Sequence, residues 1–258
     1  MTPAPWVGYT RFDVRKLANA QPTQKQLSFQ RSKAGWLPAS LIFRGSRLAR
    51  RLLPGETVLA FQLRASRAFW RVAFESAHAL YGDSFAERAM ALSPELLGRW
   101  IPAGANVLDV GCGEGRIVRT IAAYAGRVRG IDRNAAVLER ARKATSFGNV
   151  EFEMLDANDL SDEQYDVAVL SHVLEHIDDP TSLLRHLRKI APRLIVEVPE
   201  FGREPLDCVR LDLGVDFSTD ADHVREYTRD MLRGHLADAG WQITEWAIGP
   251  LSVAALAS

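Results

Sequence analysis

The sequence has few cysteines and no long apolar run. Only Cys112 and Cys208 occur among its 258 residues, without metal-ligand or redox spacing, which excludes a disulfide framework and favours a reducing compartment. No stretch approaches the roughly 20 consecutive apolar residues that cross a bilayer, and the N-terminus lacks the pattern of a secretory signal. We therefore expect a cytoplasmic protein. Import into an organelle is the alternative, because the start of the chain is rich in arginine.

Acidic residues are scarce in the first quarter of the chain. Up to residue 72, thirteen lysines and arginines are matched by only Asp13 and Glu56, whereas the whole chain carries 32 basic and 32 acidic residues. This surplus predicts contact with an anionic partner, such as a phosphate-bearing substrate, a lipid surface or nucleic acid. A solvated arm that docks on its own acidic domain explains it equally well. A basic amphipathic helix predicted over residues 41–53 would lie peripherally on the inner face of a membrane.

The pattern of elements changes near residue 105. Residues 1–40 are broken by proline and glycine, and helices are predicted over 58–80 and, with an interruption near Ser93, over 85–100. Beyond that point short apolar runs alternate with helical segments, which indicates a doubly wound α/β domain. We predict a basic arm and helical lid at 1–100 and a second domain at 101–258. Parallel strands are expected at 107–110, 128–131, 150–154, 167–170 and 194–198, followed by an antiparallel hairpin of 241–248 and 251–257.

A glycine-rich turn follows the first predicted strand, in the segment VLDVGCGEGR that runs from Val107 to Arg116. Asp109 lies within the apolar run, and Gly111, Cys112 and Gly113 form the turn. Glycine allows positive φ and lets a ligand lie against the main chain. Because tight strand-to-helix turns also use glycine for structural reasons, the turn alone does not establish a binding site.

Acidic residues close the next two strands. Asp132 ends the second strand, where its carboxylate can accept hydrogen bonds from both hydroxyls of a ribose, and Arg133 follows it. Asp156 follows the third strand, where it can accept from an adenine amino group while the backbone of Ala157 donates to the ring. Together with the glycine turn, these positions predict a nucleoside-containing cofactor.

Two histidines follow the fourth strand in the segment SHVLEHIDDP, which begins at Ser171. His172 and His176 are four residues apart, the spacing of a metal pair on one face of a helix. We reject that interpretation because the sequence shows no third ligand nearby and the glutamate lies outside the zinc-peptidase pattern. No metal is predicted.

These segments together resemble the class I S-adenosylmethionine-dependent methyltransferases, in particular the group that includes small-molecule, quinone and saccharide O-methyltransferases. The resemblance covers roughly residues 84–258 and implies a Rossmann-like, seven-stranded sheet, with S-adenosyl-L-methionine as cofactor and S-adenosyl-L-homocysteine as product. NAD-dependent Rossmann enzymes differ, because their turn is G-x-G-x-x-G and this one is G-x-G-x-G. The implied cofactor contacts are Asp109, Gly111, Cys112, Gly113, Asp132, Arg133, Asp156, Ala157, Ser171 and His172.

A D-H-x-x-x-[FY]-[ST] segment from Asp222 to Thr228 is similar to one in the saccharide and natural-product branches of that family, where the histidine lies near the acceptor. His223 could remove the proton from an acceptor hydroxyl, with a neighbouring carboxylate fixing its tautomer. The alternative is that His223 packs at the start of a helix whose N-cap is Thr228. His176 is a second candidate base, or else orients its loop.

The expected reaction is O-methylation of a small molecule. A saccharide, lipid-linked or natural-product hydroxyl is the favoured acceptor, and an anionic one would suit the basic arm. An RNA methyltransferase is the first alternative, although the fourth strand lacks the N-P-P-[YF] segment of amino-nitrogen methylation and no Pro-Cys pair serves cytosine chemistry. A cofactor-binding module without transfer activity is the second.

Overall fold

The computed structural model describes residues 37–82, 85, 89–202, 206–215 and 222–258. Most of the predicted arm, residues 1–36, lies outside this part of the chain. The described residues form two compact units, which divide between Ala65 and Ser66. The predicted functional division at residue 100 stays a prediction.

Two helices precede the α/β region. Helix α1 spans Leu37–Leu52 and begins four residues earlier than predicted. Helix α2 spans Gly55–Tyr81. Within the first unit, Nε2 of Gln62 donates to Oγ of Ser46 at 2.6 Å. Among the described residues, no helix combines the length and apolarity needed to span a membrane.

Seven strands form one sheet in the order β3-β2-β1-β4-β5-β7-β6. The first five pair in parallel, and β7 runs antiparallel between β5 and β6, which confirms the predicted topology. Strand order reverses between β1 and β4, where open α/β sheets bind ligands. The strands are β1 Asn106–Val110, β2 Arg127–Asp132, β3 Val150–Met154, β4 Val167–Ser171, β5 Leu194–Pro199, β6 Ile243–Ile248 and β7 Ser252–Ala257.

Side-chain caps set several helix starts. Four residues accept a hydrogen bond from a backbone N–H of the helix that follows them: Ser93, Asn134, Asp179 and Thr228. Thr228 was predicted as an N-cap and is one. The helices are α3 Pro94–Trp100, α4 Arg116–Ile121, α5 Ala135–Ala144, α6 Pro180–Ile190, α7 Asp207–Asp212 and α8 Arg229–Asp238.

The helix predicted over 85–100 with an interruption near Ser93 is interrupted there, since residues 90–93 are not helical and Ser93 is the N-cap of α3. Phe85 and Ala89 are helical, and residues 86–88 lie outside the described part of the chain. The backbone N–H groups of Ala91 and Leu92 donate to the carboxylate of Glu197 at 2.7 and 3.1 Å, so they make no helical bonds to the preceding turn. Helix α7 was not predicted, because a helix of six residues is too short to show a recognisable helical repeat of apolar positions.

Apolar side chains cover both faces of the central strands. Leu108 and Leu170 belong to one buried cluster, whereas Val107 and Val169 belong to the cluster on the other face. Burial on both faces is typical of parallel strands flanked by helices. The polar site therefore forms where β1, β2 and β4 end.

Candidate functional site

The glycine turn after β1 has the backbone that the sequence predicts. Gly111 and Gly113 have φ angles of 68° and 54°. A Cβ atom at Gly111 would lie 2.5 Å from Cγ2 of Val173, so the turn packs tightly against the loop after β4. At Gly113 a Cβ atom would meet nothing within 4 Å. This open space beside bare main chain is suited to a ligand that lies against the turn.

Asp132 binds this turn from the end of β2. Its Oδ2 accepts from the backbone N–H of Gly113 at 3.0 Å and its Oδ1 from that of Asn134 at 2.8 Å. The carboxylate is thereby held at the edge of the sheet, and each oxygen has a second lone pair for a hydroxyl donor. Arg133 is exposed and is not among the described residues that line the cleft.

Asp156 lies at the neighbouring strand end. Its Oδ1 accepts from the backbone and side-chain nitrogens of Asn158, and Asp156 is thereby the N-cap of a short 3₁₀ turn over Ala157–Asp159. The N–H of Leu155 donates to the carbonyl of Asp132 at 3.1 Å and joins the two strand ends. Asp132, Asp156 and Ala157 therefore follow one edge of the sheet, and none of the three is among the described residues that line the cleft itself.

A cleft of about 220 Å³ opens between the turn and the end of β4. Six of the predicted residues line it, namely Asp109, Gly111, Cys112, Gly113, Ser171 and His172. Met90, Arg116 and Ile117 also line it and were missed by sequence reasoning. Arg116 could have been suspected, because the first residue of a helix that follows a glycine turn faces the same space.

Asp109 is the buried acid of the cleft. Burial raises its pKa to about 7, opposed by the positive charge of Arg116 and assisted by the negative charge of Asp132. Its Oδ2 is buried and has no hydrogen-bond partner among the described residues. The thiol of Cys112 is also buried, which raises its pKa and makes it unreactive.

Glu197, in β5, is a fully buried carboxylate that sequence reasoning missed. It accepts hydrogen bonds from Ser171 and Ser252 at 2.6 and 2.7 Å, in addition to the two backbone groups noted above. Burial opposes its ionisation, but His172 and these hydrogen bonds hold its pKa below the usual value. The signal was a single charged residue within the apolar strand LIVEVP. Glu197 thus ties residues 91 and 92 to the rim of the cleft.

His172 has a strained backbone at the end of β4. It is the one non-glycine residue with positive φ in the described part of the chain, at 57°, and such strain is often concentrated at functional sites. Its Nδ1 lies 3.4 Å from Oε1 of Glu175 and its Nε2 3.8 Å from Oε2 of Glu197. Burial lowers the pKa of His172, but the two carboxylates outweigh it, so the pKa lies above its usual value.

The two predicted catalytic histidines lie side by side. The ring centroids of His176 and His223 are 4.7 Å apart, with the rings nearly perpendicular. Nδ1 of His223 is 3.2 Å from Oε1 of Glu226, and Nδ1 of His176 is 3.4 Å from Oδ2 of Asp222. Glu175, buried beside them, offers a ligand atom within 4.8 Å of one from each histidine. Because His172 contacts both Glu175 and the cleft, the histidine pair and the cleft form one continuous polar region.

Comparison with known proteins shows the family to which this chain belongs. A family described as "Methyltransferase domain" matches residues 83–245. Ubiquinone biosynthesis O-methyltransferases from Pseudomonas savastanoi pv. phaseolicola and Pseudomonas fluorescens are 40% identical over 88 residues and 34% identical over 121. These matches cover 32% and 45% of this chain and 38% and 52% of the relatives, so the chain spans about half or less of their length.

Solved structures show the same fold. A SAM-dependent methyltransferase from Aquifex aeolicus superimposes with a TM-score of 0.55 at 20% identity, covering 71% of this chain and 97% of that one. Magnesium protoporphyrin IX methyltransferase from Synechocystis PCC 6803 with bound SAH gives a TM-score of 0.50 at 24% identity, covering 60% and 74%. With the family match over more than half of the sequence, the chain belongs to the methyltransferase domain family of class I S-adenosylmethionine-dependent enzymes.

Proposed function

We propose that this protein transfers the methyl group of S-adenosylmethionine to a hydroxyl oxygen of a small molecule. The observation that carries the proposal is the cleft at the ends of β1 and β4, bounded on one side by the glycine turn and on the other by His172. His172 contacts Glu175, which lies beside His176 and His223. The O-methyltransferase names of the curated relatives support oxygen as the methylated atom.

The residues of the cleft fit the cofactor in shape and charge. The open main chain at Gly113 leaves room for the methionyl part, and Arg116 and Asp109 offer opposite charges to its carboxylate and ammonium groups. We assign Asp132, at the neighbouring strand end, to the ribose hydroxyls, and Asp156 with Ala157 to the adenine. Ser171 and His172 bound the side toward the histidine pair. When bound, the cofactor supplies an already activated methyl group, so alignment provides much of the acceleration.

The proton of the acceptor hydroxyl is assigned to the histidine pair. Glu226 beside Nδ1 of His223 favours the tautomer that has its lone pair on Nε2, as removal of a hydroxyl proton requires. The side chain of His223 is 8% exposed, so it reacts in a site largely screened from water. We propose that loss of the proton depends on His223, with His176 as its neighbour.

Cofactor affinity is expected to depend on pH through Asp109. Because the pKa of Asp109 is about 7, its carboxyl holds a proton below that pH in the free protein. Binding of the positively charged methionyl group favours the carboxylate, so a proton is released and the affinity rises with pH. Between pH 6 and pH 7 we expect the Kd for S-adenosylmethionine to fall by up to about fivefold. Calorimetric titrations in two buffers with different ionisation enthalpies measure the released proton directly.

The matched control is Asp109→Asn, which keeps the shape of the side chain and removes its titration. The part of the proton release that comes from Asp109 should disappear in this variant. Any proton exchanged by the cofactor's own amino group is common to both proteins and cancels in the comparison. Equal proton release by the two proteins would contradict the assignment.

The proposed reaction is tested with methyl-labelled S-adenosylmethionine and pairs of acceptors that differ only in their nucleophile. Phenols and catechols with an isoprenoid tail are compared with the corresponding anilines and with short saccharides. Label should enter a hydroxyl compound with release of S-adenosylhomocysteine. Transfer to the amine of each pair but not to the hydroxyl would overturn O-methylation.

We also propose a peripheral membrane location at the inner face and a lipid-linked or anionic acceptor. In α1 the apolar side chains of Leu41, Ile42, Leu48 and Leu52 are more than half exposed, and arginines occupy the same helix. A helix of this kind binds an anionic interface through both contributions. The protein should sediment with vesicles that contain phosphatidylglycerol and much less with neutral ones. Equal sedimentation with both would contradict the electrostatic part.

A further inference from the structure

We propose that Glu175, His176 and His223 bind a divalent cation of the zinc type. The spacing of His172 and His176 gave no reason to expect a metal, because the sequence offered no third ligand. The fold brings His223 to Glu175 and His176 from a distant part of the chain, and one ligand atom from each of the three lies within 4.8 Å of the others. The inference rests on the proposed function for its chemical role but not for cation binding itself.

The carboxylate of Glu175 is the strongest sign that a cation is expected here. Glu175 is 1% exposed, and neither of its oxygens has a hydrogen-bond partner among the described residues. Nδ1 of His172 lies 3.4 Å from Oε1, which is beyond a good hydrogen bond. A buried carboxylate that is poorly compensated destabilises the fold, and a bound cation removes that cost.

Both histidines have a carboxylate neighbour of the kind that metal-binding histidines usually have. Each has a carboxylate beside Nδ1, Asp222 for His176 at 3.4 Å and Glu226 for His223 at 3.2 Å. Metal ligands commonly donate one ring N–H to such a partner, which fixes the tautomer and directs the other nitrogen to the metal. The described residues thus include three candidate ligands, and each of the two histidines has its own carboxylate neighbour.

The backbone holds these ligands in place. The N–H of Val224 donates to the carbonyl of Glu175 at 2.9 Å, directly beside His223. The N–H of Phe201 donates to the carbonyl of Tyr227 at 2.7 Å and fixes the other end of the same segment. The 3₁₀ turn Leu174–His176 and the segment that carries His223 therefore form one rigid support.

Two imidazoles and one carboxylate suit a borderline cation better than magnesium or calcium, which prefer oxygen ligands. Ligand atoms of a tetrahedral zinc site are roughly 3.4 Å apart, so the longest separation in the cluster would shorten on binding. Three protein ligands leave a coordination position for another molecule, as in catalytic zinc sites.

The role of the cation would be to ionise the acceptor. A hydroxyl bound at the open position has a lowered pKa and loses its proton to solvent. The resulting oxygen forms a bond to the methyl carbon, and the sulfur keeps the electron pair of the methyl–sulfur bond that breaks. The cation undergoes no redox change in this step. With its Nε2 bound to the metal, His223 would assist deprotonation through the cation.

The test uses the full chain, purified without a metal-affinity tag and freed of metal with dipicolinate. Zinc binding is measured by competition with a chromophoric chelator, and metal content by mass spectrometry. We expect one Zn²⁺ per chain with a micromolar or lower Kd. Glu175→Gln and His223→Ala should each weaken binding at least about thirtyfold, and Glu226→Gln about tenfold. His78→Ala, at an exposed histidine of α2, should leave it unchanged.

S-adenosylhomocysteine binding is measured on each variant as a check of the fold and of the proposed function. Wild-type protein that binds S-adenosylhomocysteine but no stoichiometric zinc overturns the metal site and leaves the methyltransferase proposal standing. The metal proposal is equally overturned if Glu175→Gln and His223→Ala bind zinc as tightly as His78→Ala. Zinc binding that requires Glu175 and His223 supports the site even if S-adenosylhomocysteine does not bind, a result that would instead count against the proposed function.

Discussion

Replacing His223 with alanine is expected to lower kcat for methyl transfer at least about a hundredfold while the Kd for S-adenosylmethionine stays within a factor of about two. In the proposed reaction, the acceptor hydroxyl loses its proton at His223, either to the imidazole or through a cation that it binds. It is not among the residues that line the cofactor cleft. The loss should therefore appear in single-turnover rates with saturating cofactor and acceptor.

The pH profile separates this role from a structural one. The lost step is deprotonation, so the rate of His223→Ala should rise steeply with pH until the hydroxyl ionises without help, and an acceptor of lower pKa should be affected less. Misfolding would instead lower the rate equally at every pH and with every acceptor. A loss of only a few fold, with the same pH profile as the wild type, would remove His223 from the reaction. Glu226→Gln should have a smaller effect, because it changes only the tautomer preference of the imidazole.

The sheet, and the edge at which β1, β2 and β3 end, are the parts of the molecule that the sequence predicts well. Short apolar runs separated by helical segments determine the topology, and each acidic residue that closes a strand is carried to the same edge by the parallel arrangement. Asp132 and Asp156 could therefore be placed together without coordinates. Their backbone partners could not, because capping depends on the local path of the chain.

The contacts made by distant residues are the part that the sequence does not reveal. Glu197 is a single charge in a strand, and nothing in the pattern says that it binds residues 91 and 92, far earlier in the chain. His223 likewise meets Glu175 and His176 only because its segment is bonded to the carbonyl of Glu175. Periodicity reports which side of an element is buried, whereas these contacts depend on how loops pass one another.

The Asp132→Ala variant should lose nearly all cofactor binding in the physiological range. Two hydrogen bonds from ribose hydroxyls to a charged carboxylate contribute about 1.5 to 3 kcal/mol each, so the Kd for S-adenosylhomocysteine should rise at least about a hundredfold. Asp132 also accepts from the N–H groups of Gly113 and Asn134, so its removal additionally loosens the turn. Part of the measured loss would then have nothing to do with the ribose.

A double-mutant cycle in which the second change is made in the ligand separates these contributions. Wild-type protein should bind the 2′-deoxy and 3′-deoxy analogues of S-adenosylhomocysteine about ten- to 150-fold more weakly than the parent compound, whereas Asp132→Ala should bind all three alike. Asp162→Ala, which removes an exposed carboxylate away from the cleft, should behave as the wild type in each titration. If the deoxy analogues lose the same affinity in Asp132→Ala as in the wild type, the ribose does not bind Asp132. The carboxylate would then serve only to hold the glycine turn, and the cofactor would have to bind in another orientation.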